Sequence, residues 1–489
     1  MKTILKRTTA ILLLLSMLLS SAACSENPAS EETETETAPV SADPAVTETE
    51  EVDDGSTHYA DEIEAVDFEG WTMNIANDGL STDYFSAFCV EELTGDDFND
   101  AIFNRNERIM DKFNVKITET YNGTVNTIKS DVTAGSNEVA FGQVLFRSCM
   151  GLIIQDYIRP FSSLPVVDLS KPYWDKGSQD TLTFNGNYYY CHGDLGWDHY
   201  EGMAVLFYNG ELLTDNSITE TPYDLYMDGR WTLDNMHQMM TTVSKDENGD
   251  GKMNIQDDIF GFTGREFEYL PSLHSANTAL IKYDDATESY ILNYTDETVM
   301  AVGDMLNKVI NDTNISHPAW DSESRNMFKA GRVLFYSRLL GDFRNLRDKE
   351  DDYGIISFPT LEENVDGKVY IQNCYTNLVP VNCEDDFRLG TLMEAMAADT
   401  HDNVLDIYIN KAVIGKGVRD EESANLMRIL MTKRSYDLCY AFGLDAVISN
   451  FGAAIKKGQY SSAASRLKNL FKKDIGKIMD KLTEEWIGE

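Results

Sequence analysis

The chain predicts an α/β body of two lobes, on three observations. Early in the body a strand, a helix and a strand follow one another at the spacing of a parallel βαβ unit. Strand-like and helix-like stretches then alternate through the middle, and the chain ends in one amphipathic helix. With 489 residues, 42% of them hydrophobic, it has material for two domains.

Lys2, Lys6 and Arg7 precede a run of about ten apolar residues, long enough for a signal peptide and too short for a bilayer-spanning helix. Small residues follow, then Cys24, so residues 1–23 resemble a bacterial lipoprotein signal that leaves Cys24 as the lipidated first residue. A cysteine carrying at least two acyl chains would anchor the protein stably. From 25 to about 62 the chain is rich in Glu, Thr, Ser, Ala and Pro, a composition expected to stay disordered as an acidic tether.

The body opens with the alternating strand Trp71-Thr72-Met73-Asn74-Ile75-Ala76. Phe98, Ile102, Ile109 and Phe113 then recur at helical spacing over 97–113, and Asn114-Val115-Lys116-Ile117-Thr118 returns as a strand. Asn185-Gly186-Asn187 reads as a turn into the aromatic strand Tyr188-Tyr189-Tyr190. Ala204-Val205-Leu206-Phe207-Tyr208-Asn209 reads as a buried strand running into a loop. Thr232 caps a helix whose inner face carries Leu233, Met236, Met240 and Val243. Residues 328–336 read as a helix end followed by a strand, and 353–359 as another strand. Leu467, Leu470, Phe471, Ile475, Ile478, Leu482 and Trp486 form the apolar stripe of the last helix.

The most specific local chemistry is Asp246-Glu247-Asn248-Gly249-Asp250-Gly251-Lys252-Met253-Asn254-Ile255-Gln256-Asp257. Oxygen-bearing side chains at the first, third, fifth, ninth and twelfth positions suit a hard cation, with glycine at the sixth for the turn. Asp246, Asn248, Asp250, Asn254, Asp257 and the Lys252 carbonyl are the expected ligands of a structural Ca2+ ion.

Composition narrows the function. A net charge of −41 disfavours nucleic acid and anionic lipid as partners. The six cysteines after Cys24 show no CxxC spacing, which argues against zinc; the scatter suggests small buried residues, with Cys374 and Cys383 the nearest pair. No nucleophile elbow, metalloprotease motif or phosphate loop occurs. Among 82 acidic residues some pair always falls at glycosidase separation, so carboxylate pairing carries no information.

Several stretches share a family look. They are 100–107 with 112–115, Leu206-Phe207-Tyr208-Asn209, Gly229-Arg230-Trp231-Thr232-Leu233-Asp234 with the oxygen-rich loop and Phe260-Gly261, then 328–333, 353–359 and 416–423. In that order they resemble the extracellular solute-binding proteins of ABC importers, in the family-1, carbohydrate-type, lipid-anchored group. The resemblance implies a type II, periplasmic-binding-protein-like clamshell with a hinge. One lobe would be 63–165 with 366–415, the other 166–365 with 416–489. It further implies a monomer at the outer face of the cell membrane that passes an oligosaccharide to a permease and has no enzymatic activity.

Sugar recognition calls for aromatic faces and planar hydrogen-bonding groups. Trp197, in a polar glycine-rich loop, is the first candidate, followed by Tyr84, Trp320 and Tyr375, with Asp194 and Arg338 to bond hydroxyls or a charged group. A surface-anchored glycan hydrolase and a non-transport polysaccharide-binding protein share these features and remain open at this stage.

Overall fold

The computed structural model describes residues 58–79, 87–121, 123–265, 269–349, 352–372, 374–414, 421–484 and 486. The leader, Cys24, Tyr84 and most of 416–423 lie outside them. The βαβ unit is present. Strand β1 (Trp71–Asn77) buries Met73 and Ile75. The Asp96 carboxylate caps helix α1 (Asp97–Phe113) by accepting from the N–H groups of Phe98 and Asn99, an arrangement worth about 1 kcal/mol. Phe98, Ile102, Ile109 and Phe113 are buried as the spacing requires. Asn114, with φ 48°, ends the helix in the left-handed region, and β2 (Val115–Thr120) returns parallel to β1.

Eight further strands are β3 (Phe141–Leu145), β4 (Ile158–Arg159), β5 (Ala204–Asn209), β6 (Phe260–Gly264), β7 (Ser316–Pro318), β8 (Val333–Leu339), β9 (Tyr353–Ile356) and β10 (Tyr375–Pro380). They complete two five-stranded sheets with one shared plan. The first runs β2-β1-β3-β10-β4, with β2, β1 and β3 parallel and β10 antiparallel to its neighbours. The second runs β7-β6-β8-β5-β9, with β7, β6 and β8 parallel and β5 antiparallel. Each sheet therefore takes its antiparallel strand from a distant part of the chain. β5 precedes the rest of its sheet, and β10 follows the whole of the other one.

Two short segments make those crossings. Residues 191–203 lead into β5, and 371–374 lead into β10. They run antiparallel, with Cys191 bridging Asn377, Met203 bridging Ile371, and the Gln372 N–H donating to the Gly202 carbonyl at 2.7 Å. Only glycine fits at 202. A Cβ there would lie 2.7 Å from the Asp198 carbonyl and 3.1 Å from both the Cys374 Cβ and the Gln372 carbonyl.

All six residues of β5 are buried, as an apolar run in the middle of a sheet should be. It is followed by a helix and not a loop, because Asn209 accepts from the N–H groups of Glu211 and Leu212 and caps Gly210–Asp215. Thr232 caps α2 (Leu233–Val243), whose Leu233, Met236, Met240 and Val243 face the core. Asn185 and Gly186, with φ 48° and 78°, turn the hairpin before Tyr188. Helix α3 (Asp386–Asn403) packs on α1, and helix α4 (Tyr460–Leu482) closes the chain. In α4, Leu467, Phe471, Ile475, Ile478 and Leu482 are buried, but Leu470 is 46% exposed and does not belong to the stripe. Cys374 and Cys383 are free thiols, as are the other four described cysteines.

The crossings sit on a buried polar cluster. Asp175 takes the Arg434 guanidinium at 2.5 Å and the Tyr436 hydroxyl at 3.0 Å, with its side chain 1% exposed. Burial alone would raise the Asp175 carboxyl, but Arg434, His199 and the Ser178 N–H outweigh it and hold it down at about 2. That stability is fully present above the unfolded value near 3.8 and is lost as pH falls toward 2, about 2 kcal/mol in all. Arg434→Leu should cost about 3–5 kcal/mol at pH 7, since it leaves a buried carboxylate unpaired. Urea titrations should show that deficit shrinking as pH is lowered toward 2, because without Arg434 burial makes the Asp175 carboxyl protonate at a higher pH than in the wild type.

Candidate functional site

In open α/β sheets, ligands bind beyond the carboxyl ends of the parallel strands. In this chain those ends carry a distinct set of side chains. In the first sheet β3 contributes Gln143 and is followed by Phe146 and Arg147; Tyr375, opening β10, lies opposite Leu145. In the second, Arg265 follows β6, Trp320 follows β7, and the turn Leu340–Leu346 with Arg344 follows β8.

Several contacts link the two sets through the crossings. The Gln143 amide donates to Asp198, in the short helix Asp198–Glu201 of the first crossing. Glu201, in the same helix, is paired with Arg344 beyond β8, and both are largely withdrawn from solvent. The Tyr440 hydroxyl, pushed up to about 12 chiefly by burial, feels both Arg147 and Arg265. The sequence pattern did not point to Gln143, Asp198, Glu201, Arg344 or Tyr440, because their partners are distant in the chain.

Trp320 is the exposed aromatic of this region. It sits at the N-terminus of the helix Asp321–Lys329, is 69% exposed, and has the Arg265 guanidinium 5.4 Å from its ring centroid. A solvent-facing indole with a cation against it presents one flat apolar surface and several planar donors. That combination suits a sugar ring, which has an apolar face and a polar edge.

Trp197 is placed differently from its expectation. The glycine-rich stretch forms part of the first crossing, and the indole is only 1% exposed. Phe98 meets it edge-on at 4.8 Å and Tyr408 lies at 5.6 Å. Composition suggested an open loop; the close packing of the crossing turns the ring inward instead. Asp194 is also buried, and its two oxygens accept from the Tyr200 hydroxyl at 2.5 Å and His401 Nδ1 at 2.6 Å. The His401 imidazole is raised by that hydrogen bond. Arg338 and Tyr375 are buried within β8 and β10. Of the described residues predicted for a solute, only Trp320 offers an open surface.

The predicted metal loop closes through a residue outside the expected ligand set. Asp258 is buried and accepts from the N–H groups of Glu247 at 3.0 Å and Asn254 at 2.7 Å, while Lys245 bridges Ile259. Asp246 accepts from Gly249 and Gly251 at 2.7 and 2.8 Å, Asn248 from Asp250, and Asp250 from Lys252. Among the described residues no group of three or more His, Cys, Asp or Glu is gathered to hold a metal. Cys191 bonds along Asn377, and His192 turns to Ser178 at 2.8 Å, with burial holding its imidazole down at about 3.

Taken together, the two sheets and paired crossings define the two-lobed type II fold of solute-binding proteins. Among solved structures the chain is similar to the galacto-N-biose-/lacto-N-biose I-binding protein of the ABC transporter from Bifidobacterium longum, in complex with lacto-N-biose, at 12% identity over 84% of this chain and 98% of that one (TM-score 0.57). It is likewise similar to the sugar-binding protein MalE from Xanthomonas citri, at 11% identity over 85% and 100% (TM-score 0.57). The extracellular solute-binding protein from Staphylococcus aureus, in complex with maltose, matches at 10% identity over 84% and 99% (TM-score 0.56). At these identities the likeness is one of fold. No family model and no curated protein matches the chain.

The two tryptophans should separate in thermal and urea melts. Trp197→Ala is expected to lose about 3–5 kcal/mol, the cost of an emptied aromatic site in a core. Trp320→Ala should change stability by less than about 0.5 kcal/mol, as an exposed ring would.

Proposed function

We propose that this chain is a solute-binding protein that captures an oligosaccharide reversibly outside the cell and delivers it unaltered to the permease of an ABC importer. The observation that carries the reading is the open Trp320 face, with Arg265 against it, at the strand ends of a type II fold. The similar structures from Bifidobacterium longum and Staphylococcus aureus are complexes with lacto-N-biose and maltose, which supports a saccharide as the solute class. Closure of two lobes about the crossings would bring Arg147 and Arg265 onto opposite sides of the sugar, with Trp320 stacking on its apolar face. The leader supports a mature chain anchored through a lipidated Cys24, with the acidic stretch after it as a tether. The tether expected to run to 62 stops short of Tyr59–Glu62, which forms a short helix packed on α3, where the Ala60 N–H donates to Asp402 at 2.8 Å.

Calorimetry of the mature chain against a panel of neutral and acidic oligosaccharides tests this. Binding of at least one saccharide without turnover is expected, and Trp320→Ala should weaken it about tenfold or more, which is roughly 1.4 kcal/mol. A panel with no binder, or release of shortened products, would overturn the reading; products would favour the hydrolase alternative.

The loop at 246–257 is proposed as a structural calcium site. Its donors are three carboxylates, two amides and the Lys252 carbonyl, a hard oxygen set that suits Ca2+. When bound, the ion would supply charge neutralisation and crosslinking within the loop, and no chemistry. Because Asp258 already clasps the loop ends, the ion would reinforce a preformed turn. Wild type should melt higher in calcium than in chelator, by up to about 2.7 kcal/mol at a hundredfold excess over Kd. Asp246→Ala should melt alike in both. Identical wild-type melts in the two conditions would remove the site.

A further inference from the structure

Helix α4 reverses the charge of the rest of the molecule. In a chain of net charge −41, Arg466, Lys468, Lys472, Lys473 and Lys477 stand exposed along it, and none has an ion-pair partner among the described residues. Lys468 and Lys472 are four residues apart and so share a face.

That face borders a groove of about 670 Å3, within the size range of small-molecule sites. One wall is the hairpin strand Ser289–Leu292, with Tyr290 and Ile291; the other is α4, with Phe471 and Ile475, and Lys468 and Lys472 also line it. Gly476 completes the helical wall. A glycine inside a 23-residue helix costs about 1 kcal/mol relative to alanine, so it calls for a reason. Packing is not the reason, since a Cβ at 476 would meet nothing within 4 Å. The helical glycines at 303 and 452 differ: there a Cβ would approach the rings of Tyr460 and Tyr269 to about 3 Å. At 476 any side chain would stand in the groove that the glycine lines.

We infer that this groove binds a single-chain anionic amphiphile, a long-chain fatty acid, with its acyl chain between the hairpin and α4 and its carboxylate on Lys468 and Lys472. The apolar walls match the chain, and two cations without ion-pair partners match the head. On a body this acidic, an anion is drawn to the place where cations outnumber carboxylates, as along α4, whose six Lys and Arg stand against Asp474 and Asp480, with Glu288 of the hairpin beside the groove. A flat anionic bilayer fits less well, because it would bring the surrounding acidic surface within a Debye length of about 8 Å. A lone molecule avoids that. The site is separate from the Trp320 region and does not depend on the saccharide reading.

The test uses the full chain carrying Cys24→Ser, with laurate below its micellar concentration, followed by calorimetry and native mass spectrometry. One laurate per chain is expected. The double variant Lys468→Glu, Lys472→Glu should weaken it at least tenfold. Gly476→Leu, which fills the groove, should abolish it while the thermal melt stays at or above that of the parent. Dodecanol, uncharged, should bind at least tenfold more weakly than laurate. No laurate binding, binding indifferent to both variants, or equal affinity for dodecanol would each refute the proposal. Lysine-dependent pelleting with phosphatidylglycerol vesicles would also overturn it, by making the face a membrane surface.

Discussion

The whole arrangement depends on the close approach of two crossing segments. Neither sheet is complete without a strand delivered across the join: β5 enters through 191–203 and β10 through 371–374. Their spacing is set by Gly202, where two backbones come too near for any side chain. Among the described residues, backbone hydrogen bonds between Cys191 and Asn377 and from Gln372 to Gly202 hold the pair in register, and the first crossing is buried along its length.

Charge is distributed with the same economy. The chain is strongly acidic, and three of its arginines stand where a carboxylate would otherwise be buried alone. Arg434 neutralises Asp175 beside the crossings, Arg344 neutralises Glu201 beyond β8, and Arg325 holds the fully buried Asp342. A planar, weakly hydrated guanidinium suits such sites better than an ammonium does. Lys468, Lys472, Lys473 and Lys477 of α4 are used in the opposite way, held out in water with no ion pair among the described residues, whereas Lys481 at the end of the helix pairs with Asp156 and Glu484. An acidic protein that keeps a few cations unspent at its surface has chosen where anions can approach.

Local and global determinants divide cleanly in the oxygen-rich loop. Its turns are made by neighbouring residues, each side-chain oxygen accepting from an N–H two to five positions ahead. Such hydrogen bonds need nothing from the rest of the fold. The clasp at Asp258 is the point where the loop meets the body, joining its two ends at a fully buried carboxylate.

The elements legible in the sequence were those set by neighbours along the chain. The α1 helix, its flanking strands, the Thr232 cap and most of the α4 stripe follow from periodicity and capping, which act within a few residues. The resemblance of ordered segments extended that reading to a two-lobed frame. What the sequence by itself did not decide was the burial of individual side chains. Trp197 lies in a stretch whose composition suggests solvent, yet Phe98 and Tyr408, from distant segments, enclose it. Arg105 sits in α1 amid polar residues, yet is fully buried because the Phe88 carbonyl and the Thr400 hydroxyl meet its guanidinium. Leu470 carries the apolar signal of its helix and still faces water. In each case the deciding partner lies on another element, and only the tertiary structure brings it within reach.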